Sequence, residues 1–177
     1  MKLIKILIVW IACCTISLAG SILIEAETAQ VAPPFTIVTV TNQAPVKAGQ
    51  AISGNRFIEV APGSKKPSEG GIAGHARYTF KLKSAGVFHL WARCFWQDGC
   101  GNSFTVQFDE QPSFTFGQDA TYNTWHWVKA PPRLTFKLAA GTHTITLFNR
   151  EDGIRIDQLL LITDSRYVPV DIEETEP

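Results

Sequence analysis

The chain is 177 residues long and carries 16 Lys and Arg against 16 Asp and Glu, a formal charge of zero. No basic cluster exceeds Lys65-Lys66, so the electrostatic footprint of a nucleic-acid binder is absent. The length suits one ordinary domain with a sizeable core.

The first residues read as an export signal over residues 1–19. Lys2 and Lys5 supply the positive end, residues 6–12 and Ile16 the apolar stretch, and Ser17-Leu18-Ala19 a small-residue cleavage site. That stretch is short and interrupted for a membrane span, and a retained anchor is the alternative. The mature chain is therefore expected outside the cell, at its surface or in the periplasm, without a span. Cys13 and Cys14 leave with the signal, so the pair Cys94 and Cys100 remains. In an oxidising compartment a lone pair reads as a disulfide, here closing a small loop for about 2 kcal/mol. Zinc held by this pair and a histidine lacks the usual ligand spacing.

Beyond the leader, apolar and polar residues alternate with period two, and no helical stripe appears. Residues 78–83 alternate and end at Ser84-Ala85-Gly86. Residues 87–95 follow, with Phe88, Leu90, Ala92 and Cys94 on one face and His89, Trp91 and Arg93 on the other. Asp98-Gly99 then reads as a hairpin turn into residues 103–108, which places the two cysteines on either side of it. Residues 133–138 and 143–148 form a further alternating pair around Ala140-Gly141. Residues 154–162 are nearly continuous apolar sequence broken by Arg155, Asp157 and Gln158, the pattern of a strand buried on both faces. Residues 61–74 read as a long surface loop, and the acidic tail 167–177 as disordered or a short linker. The expected fold is all-β: an antiparallel β-sandwich domain over residues 20–166, with first and last strands adjacent and negligible helix.

That adjacency would bring Glu25 and Glu27, on the first strand, to Asp157 on the last. Three carboxylates gathered in a partly buried place need a cation, and outside a cell the hard, oxygen-seeking choice is calcium. The competing reading leaves the glutamates exposed on an edge strand and pairs Asp157 with Arg155 or Arg93.

Glu25-Ala26-Glu27, residues 53–60 and Arg155-Ile156-Asp157-Gln158-Leu159 together resemble carbohydrate-binding modules of the family 6 and family 35 type. Residues 86–93, 102–106, 125–128, 140–145 and 150–153 are similar to a bacterial secreted subgroup of that galactose-binding-like jelly-roll superfamily. The likeness spans residues 24–164. It implies non-catalytic glycan binding and a structural calcium held by Glu25, Glu27 and Asp157, with a backbone oxygen near Asn55 or Arg56. It also implies a sugar stacked on Trp125, with Phe57 a second aromatic. Arg155 stands where the family carries an asparagine, a departure that bears on the usual hydrogen bonds of the site.

Sugars present apolar C–H faces and outward hydroxyls, so their sites need an aromatic face in water beside fixed polar groups. Residues 119–127 have that composition. Trp125 is the expected platform, Tyr122 and Trp96 supporting aromatics near turns, and Arg155 a polar contact able to grip a carboxylate. No nucleophile elbow, zinc-protease motif or phosphate-cradling loop is present, so an enzyme is not expected. The partner is then a polysaccharide or other glycan, bound by a monomer. The rival reading is a structural or adhesive β-sandwich of a cell-surface assembly.

Overall fold

The computed structural model describes residues 20–41, 50–71 and 73–174; the leader assigned to residues 1–19 lies outside them. Twelve strands are described: β1 (Ser21–Glu25), β2 (Gln30–Ala32), β3 (Phe35–Thr39), β4 (Arg56–Val60), β5 (His75–Leu82), β6 (Gly86–Trp96), β7 (Ser103–Phe108), β8 (Phe114–Gly117), β9 (Trp125–Lys129), β10 (Phe136–Leu138), β11 (Gly141–Asn149) and β12 (Ile154–Ile162). The helical residues described are three single 3-10 turns, Ala26–Thr28, Ser53–Asn55 and Pro67–Glu69. No helix among the described residues is long and apolar enough to cross a membrane.

The strands form two antiparallel sheets packed as a jelly-roll β-sandwich. One has five strands in the order β2-β5-β11-β7-β8. The other has seven: β10-β6-β12-β4-β3, with β1 also on β12 and β9 also on β6. First and last strands are neighbours as expected, Ser21 facing Ile162 and Glu25 facing Gln158. Between the sheets, Phe88, Leu90, Ala92, Cys94 and Trp96 of β6 meet Phe104, Val106 and Phe108 of β7 and Ile145 and Leu147 of β11. Period-two alternation produces this interior, because every second side chain of a strand points to one face.

The expected hairpin around Asp98-Gly99 is not one. β6 pairs with β12, β9 and β10, whereas β7 pairs with β8 and β11, so residues 97–102 arch from one sheet to the other. Asp98 Oδ1 closes the arch by accepting from the N–H groups of Cys100 (2.8 Å) and Gly101 (3.1 Å). This corrects the disulfide. Cys94 and Cys100 are both free: Cys94 is a core residue whose thiol burial pushes well up, and Cys100 is exposed on the arch. Cys94 points into the core between the sheets, whereas Cys100 stands in solvent on the connection between them.

The tail differs as well. Residues 164–174 turn back over the outer face of the seven-stranded sheet instead of running into solvent. Tyr167 packs on Trp91, Leu160 and Ile162 with Leu23 and Trp127. Trp127 Nε1 donates to Asp171 O (2.8 Å) and Lys129 Nζ to Ser165 O (2.9 Å). An aromatic patch beneath gives this acidic segment a place to dock that its composition does not reveal.

Candidate functional site

At Asp157 the neighbour of β12 changes. Ile154, Arg155 and Ile156 pair with β4, while Gln158 to Ile162 pair with β1. The β12–β6 ladder shifts register there too, between Ile156 and Gln158, leaving Asp157 at a bulge. Its side chain is fully buried, and the fold answers with a guanidinium. Arg93 Nη1 lies 2.5 Å from Asp157 Oδ2 and donates also to Ala51 O (2.8 Å). Ser53 N–H donates to the same carboxylate, 3.1 Å from Oδ1. Burial still pushes the Asp157 carboxyl up to about 6, against the pull of Arg93 and Ser53, and Glu25 adds to the rise. Of the readings open for Asp157, the structure therefore shows the pairing with Arg93.

Glu25 and Glu27 border the same break, at the end of β1 and in the 3-10 turn after it. Gln158 Nε2 donates to Glu25 Oε1 (2.8 Å). Glu25 Oε2 and Glu27 Oε2 are buried without a hydrogen-bond partner. Burial raises the Glu27 carboxyl, its own backbone N–H opposes this, and Glu25 raises it further. Orphaned carboxylate oxygens beside like charge are costly in low dielectric, and a hard cation is what relieves them. The two glutamates therefore fit a cation. Asp157 is turned to Arg93, and among the described residues no three acidic, His or Cys side chains are arranged as a ligand set.

On the outer face of the seven-stranded sheet, the ladder puts Arg155 beside Phe95 on one side and Glu59 on the other, and Phe95 beside Trp125. The Arg155 guanidinium carbon is 5.1 Å from the Phe95 ring centre and 5.6 Å from that of Phe57. Its Nε donates to Glu59 Oε2 (3.2 Å), and its terminal nitrogens make no hydrogen bond among the described residues. Trp125 closes the group, with ring centres 5.6 Å from both Phe57 and Phe95 and the Arg93 guanidinium 5.5 Å away.

The expected site residues divide accordingly. Trp125 belongs to a strand and is 9% exposed, so it is a packed residue and not a platform in water. Trp96 is 0% exposed, packed against Phe104 and edge-on to His126 in the sandwich interior. The alternation Phe88, Leu90, Ala92, Cys94 carried one step further places it there. Tyr122 is exposed as expected, its hydroxyl close enough to Gly99 that an added Cβ would lie 3.3 Å away. Arg155 keeps about a third of its side chain in solvent. Residues that sequence reasoning left without a role here are Phe95 and Gln158, whereas Arg93 was one of the two partners open to Asp157. Arg93 carried a signal, a lone arginine among apolar residues of a central strand.

No protein-family model matches the chain, and no curated protein matches it either. Solved structures do. A GH26-CBM35 β-(1,4)-mannanase of Podospora anserina superposes with a TM-score of 0.61 at 18% identity, over 88% of this chain and 30% of the mannanase. A family 35 carbohydrate binding module from Clostridium thermocellum gives 0.58 at 16% identity, over 82% of this chain and 100% of the module. An isomalto-dextranase of Arthrobacter globiformis gives 0.58 at 17% identity, over 81% of this chain and 23% of the enzyme. The chain thus has the fold of a carbohydrate-binding module and spans less than a third of the length of the mannanase.

Proposed function

We propose that the chain is a non-catalytic glycan-binding module that works outside the cell. One observation carries the reading: a guanidinium lying against two phenyl rings at Arg155, with part of its surface in water and no hydrogen bond from its terminal nitrogens among the described residues. Such a group meets sugar hydroxyls or a carboxylate with its geometry already set. Tyr122 supplies an exposed ring in the loop leading to Trp125. Trp125 acts from behind, as a packed wall that keeps Phe57 and Phe95 in place. Retention on insoluble polysaccharides and a glycan array test this. Wild type should be retained, and Arg155→Ala and Tyr122→Ala should each bind at least tenfold more weakly, a loss of about 1.4 kcal/mol or more. Retention undiminished in both variants would remove these residues from the site.

A second reading has its own observation. The Phe57 and Trp125 rings pack on each other, leaving little ring face for a sugar. This favours a structural or adhesive sandwich that grips protein. A wild-type chain retained on no glycan would decide for it.

Calcium is the proposed stabilising cation, with Glu25 and Glu27 as carboxylate ligands; Asp157 is already neutralised by Arg93, so backbone oxygens and water would fill the rest of the shell. Bound calcium would supply the positive charge that the orphaned oxygens lack. At about a hundred times its dissociation constant it should raise stability by about 2.7 kcal/mol. Thermal melts should rise with calcium and fall with EDTA, and Glu25→Gln with Glu27→Gln should abolish the difference. A melt indifferent to EDTA would end the idea.

A further inference from the structure

The segment 164–174 does more than cover an aromatic patch. Gln158, fully buried at the bulge of β12, uses its whole side-chain amide as a connector. Its Nε2 donates to Glu25 Oε1 (2.8 Å) and to Glu173 O (2.8 Å), and its Oε1 accepts from Glu173 N–H (3.0 Å). The amide pairs with the Glu173 peptide as one more rung of a ladder while fixing one oxygen of Glu25. The other oxygen of Glu25 is the buried, unpartnered one. Around it, a pocket is lined by Glu25, Ser53 and Gly54 on the sandwich side and by Ile172, Glu173 and Glu174 on the segment side.

We propose that residues 164–174 form the closing wall of the cation site at Glu25 and Glu27, so that cation binding and docking of this segment reinforce each other through Gln158. The proposal rests on the cation reading above and adds a coupling to it. Without a cation, the Glu25 carboxylate shares its pocket with Glu173 and Glu174 of the wall, and like charge favours undocking. A divalent cation reverses the sign. The Glu173 carboxylate is itself held, accepting from Tyr167 O–H (2.8 Å) and Val170 N–H (3.2 Å), so the packed tyrosine and the pocket wall move as one piece. Coupling between two sites is reciprocal: whatever the segment adds to cation affinity, the cation must add to docking.

Calcium titrated calorimetrically into the full chain, with hydrogen exchange of residues 164–174 in calcium and in EDTA, tests this. Glu173→Pro removes the N–H that Gln158 accepts from, and Tyr167→Ala removes the packing anchor; neither touches Glu25 or Glu27. Both variants should bind calcium about tenfold more weakly, and calcium should slow wild-type exchange in the segment by a similar factor. Affinities within twofold of wild type, or exchange in the segment indifferent to calcium, would overturn the coupling while leaving the cation reading intact. A wild-type chain that binds no calcium would overturn both.

Discussion

Arg93→Ala is expected to destabilise the fold by about 3–5 kcal/mol, because it leaves the Asp157 carboxylate buried with no counter-charge. In a domain of this size that is a fall in melting temperature of roughly 10 °C or more. Both side chains are essentially inaccessible, so solvent cannot compensate. The loss has a second component. Arg93 also holds Ala51 O, and Asp157 holds Ser53 N–H, so the ion pair is what fastens residues 50–53 across the sheet. A double variant, Arg93→Met with Asp157→Leu, should recover much of the loss, since two apolar side chains replace a pair that is costly to desolvate. Urea unfolding of the three chains checks this. A single-variant loss below about 1 kcal/mol would mean that water or another charge reaches Asp157 and that the pair is not the anchor of this region.

Much of the sandwich was legible because alternation is a direct imprint of the pleat. Residues 103–108 read as a strand and are one, and 154–162 read as buried on both faces and run along the middle of the larger sheet. What alternation cannot state is which sheet a strand joins. Residues 87–95 and 103–108 follow one another across a turn signal, as a hairpin would, yet they lie in opposite sheets. With that step went the disulfide. Alternation also cannot tell whether an outward face stays in water. Trp91 and Trp125 point away from the interior and are buried nonetheless, the first under Tyr167 and the second against Phe57 and Phe95. The larger sheet is covered on its outer side by residues 50–53 and 164–174, and neither segment announces this in its composition.

The glycan reading was legible through the resemblance rather than through the residues themselves, and the structure alters its terms. The resemblance sets Arg155 where carbohydrate-binding modules carry an asparagine, and its guanidinium lies against the Phe57 and Phe95 rings. A long cation lying along ring faces covers apolar surface and keeps its head in water. The proposed site therefore offers donors where a stacking platform was expected. Tyr122 is exposed and Arg155 half-buried, whereas Trp125 is packed against Phe57 and Phe95.

Trp96→Ala should separate core from site most sharply. Trp96 ends β6 with none of its surface in solvent, packed on Phe104 and close to Gly117, where an added Cβ would meet its ring at 3.2 Å. Removing a buried indole costs about 3–5 kcal/mol, through lost transfer energy and the cavity left behind. The neighbouring exposed aromatic supplies the control: Tyr122→Ala should change stability by no more than about 0.5 kcal/mol. Equilibrium denaturation reads both, and polysaccharide retention reads the other half of the contrast, because only the Tyr122 variant should lose binding while still fully folded. If Trp96→Ala instead kept its stability and lost glycan, the indole would have to face water in solution, and the arch of residues 97–102 would have to open. Its Nε1 is buried without a hydrogen-bond partner, so an indole able to reach solvent would gain one there. The packing on Phe104 and Gly117 opposes that escape, and the expected outcome is a destabilised chain whose residual folded fraction still binds.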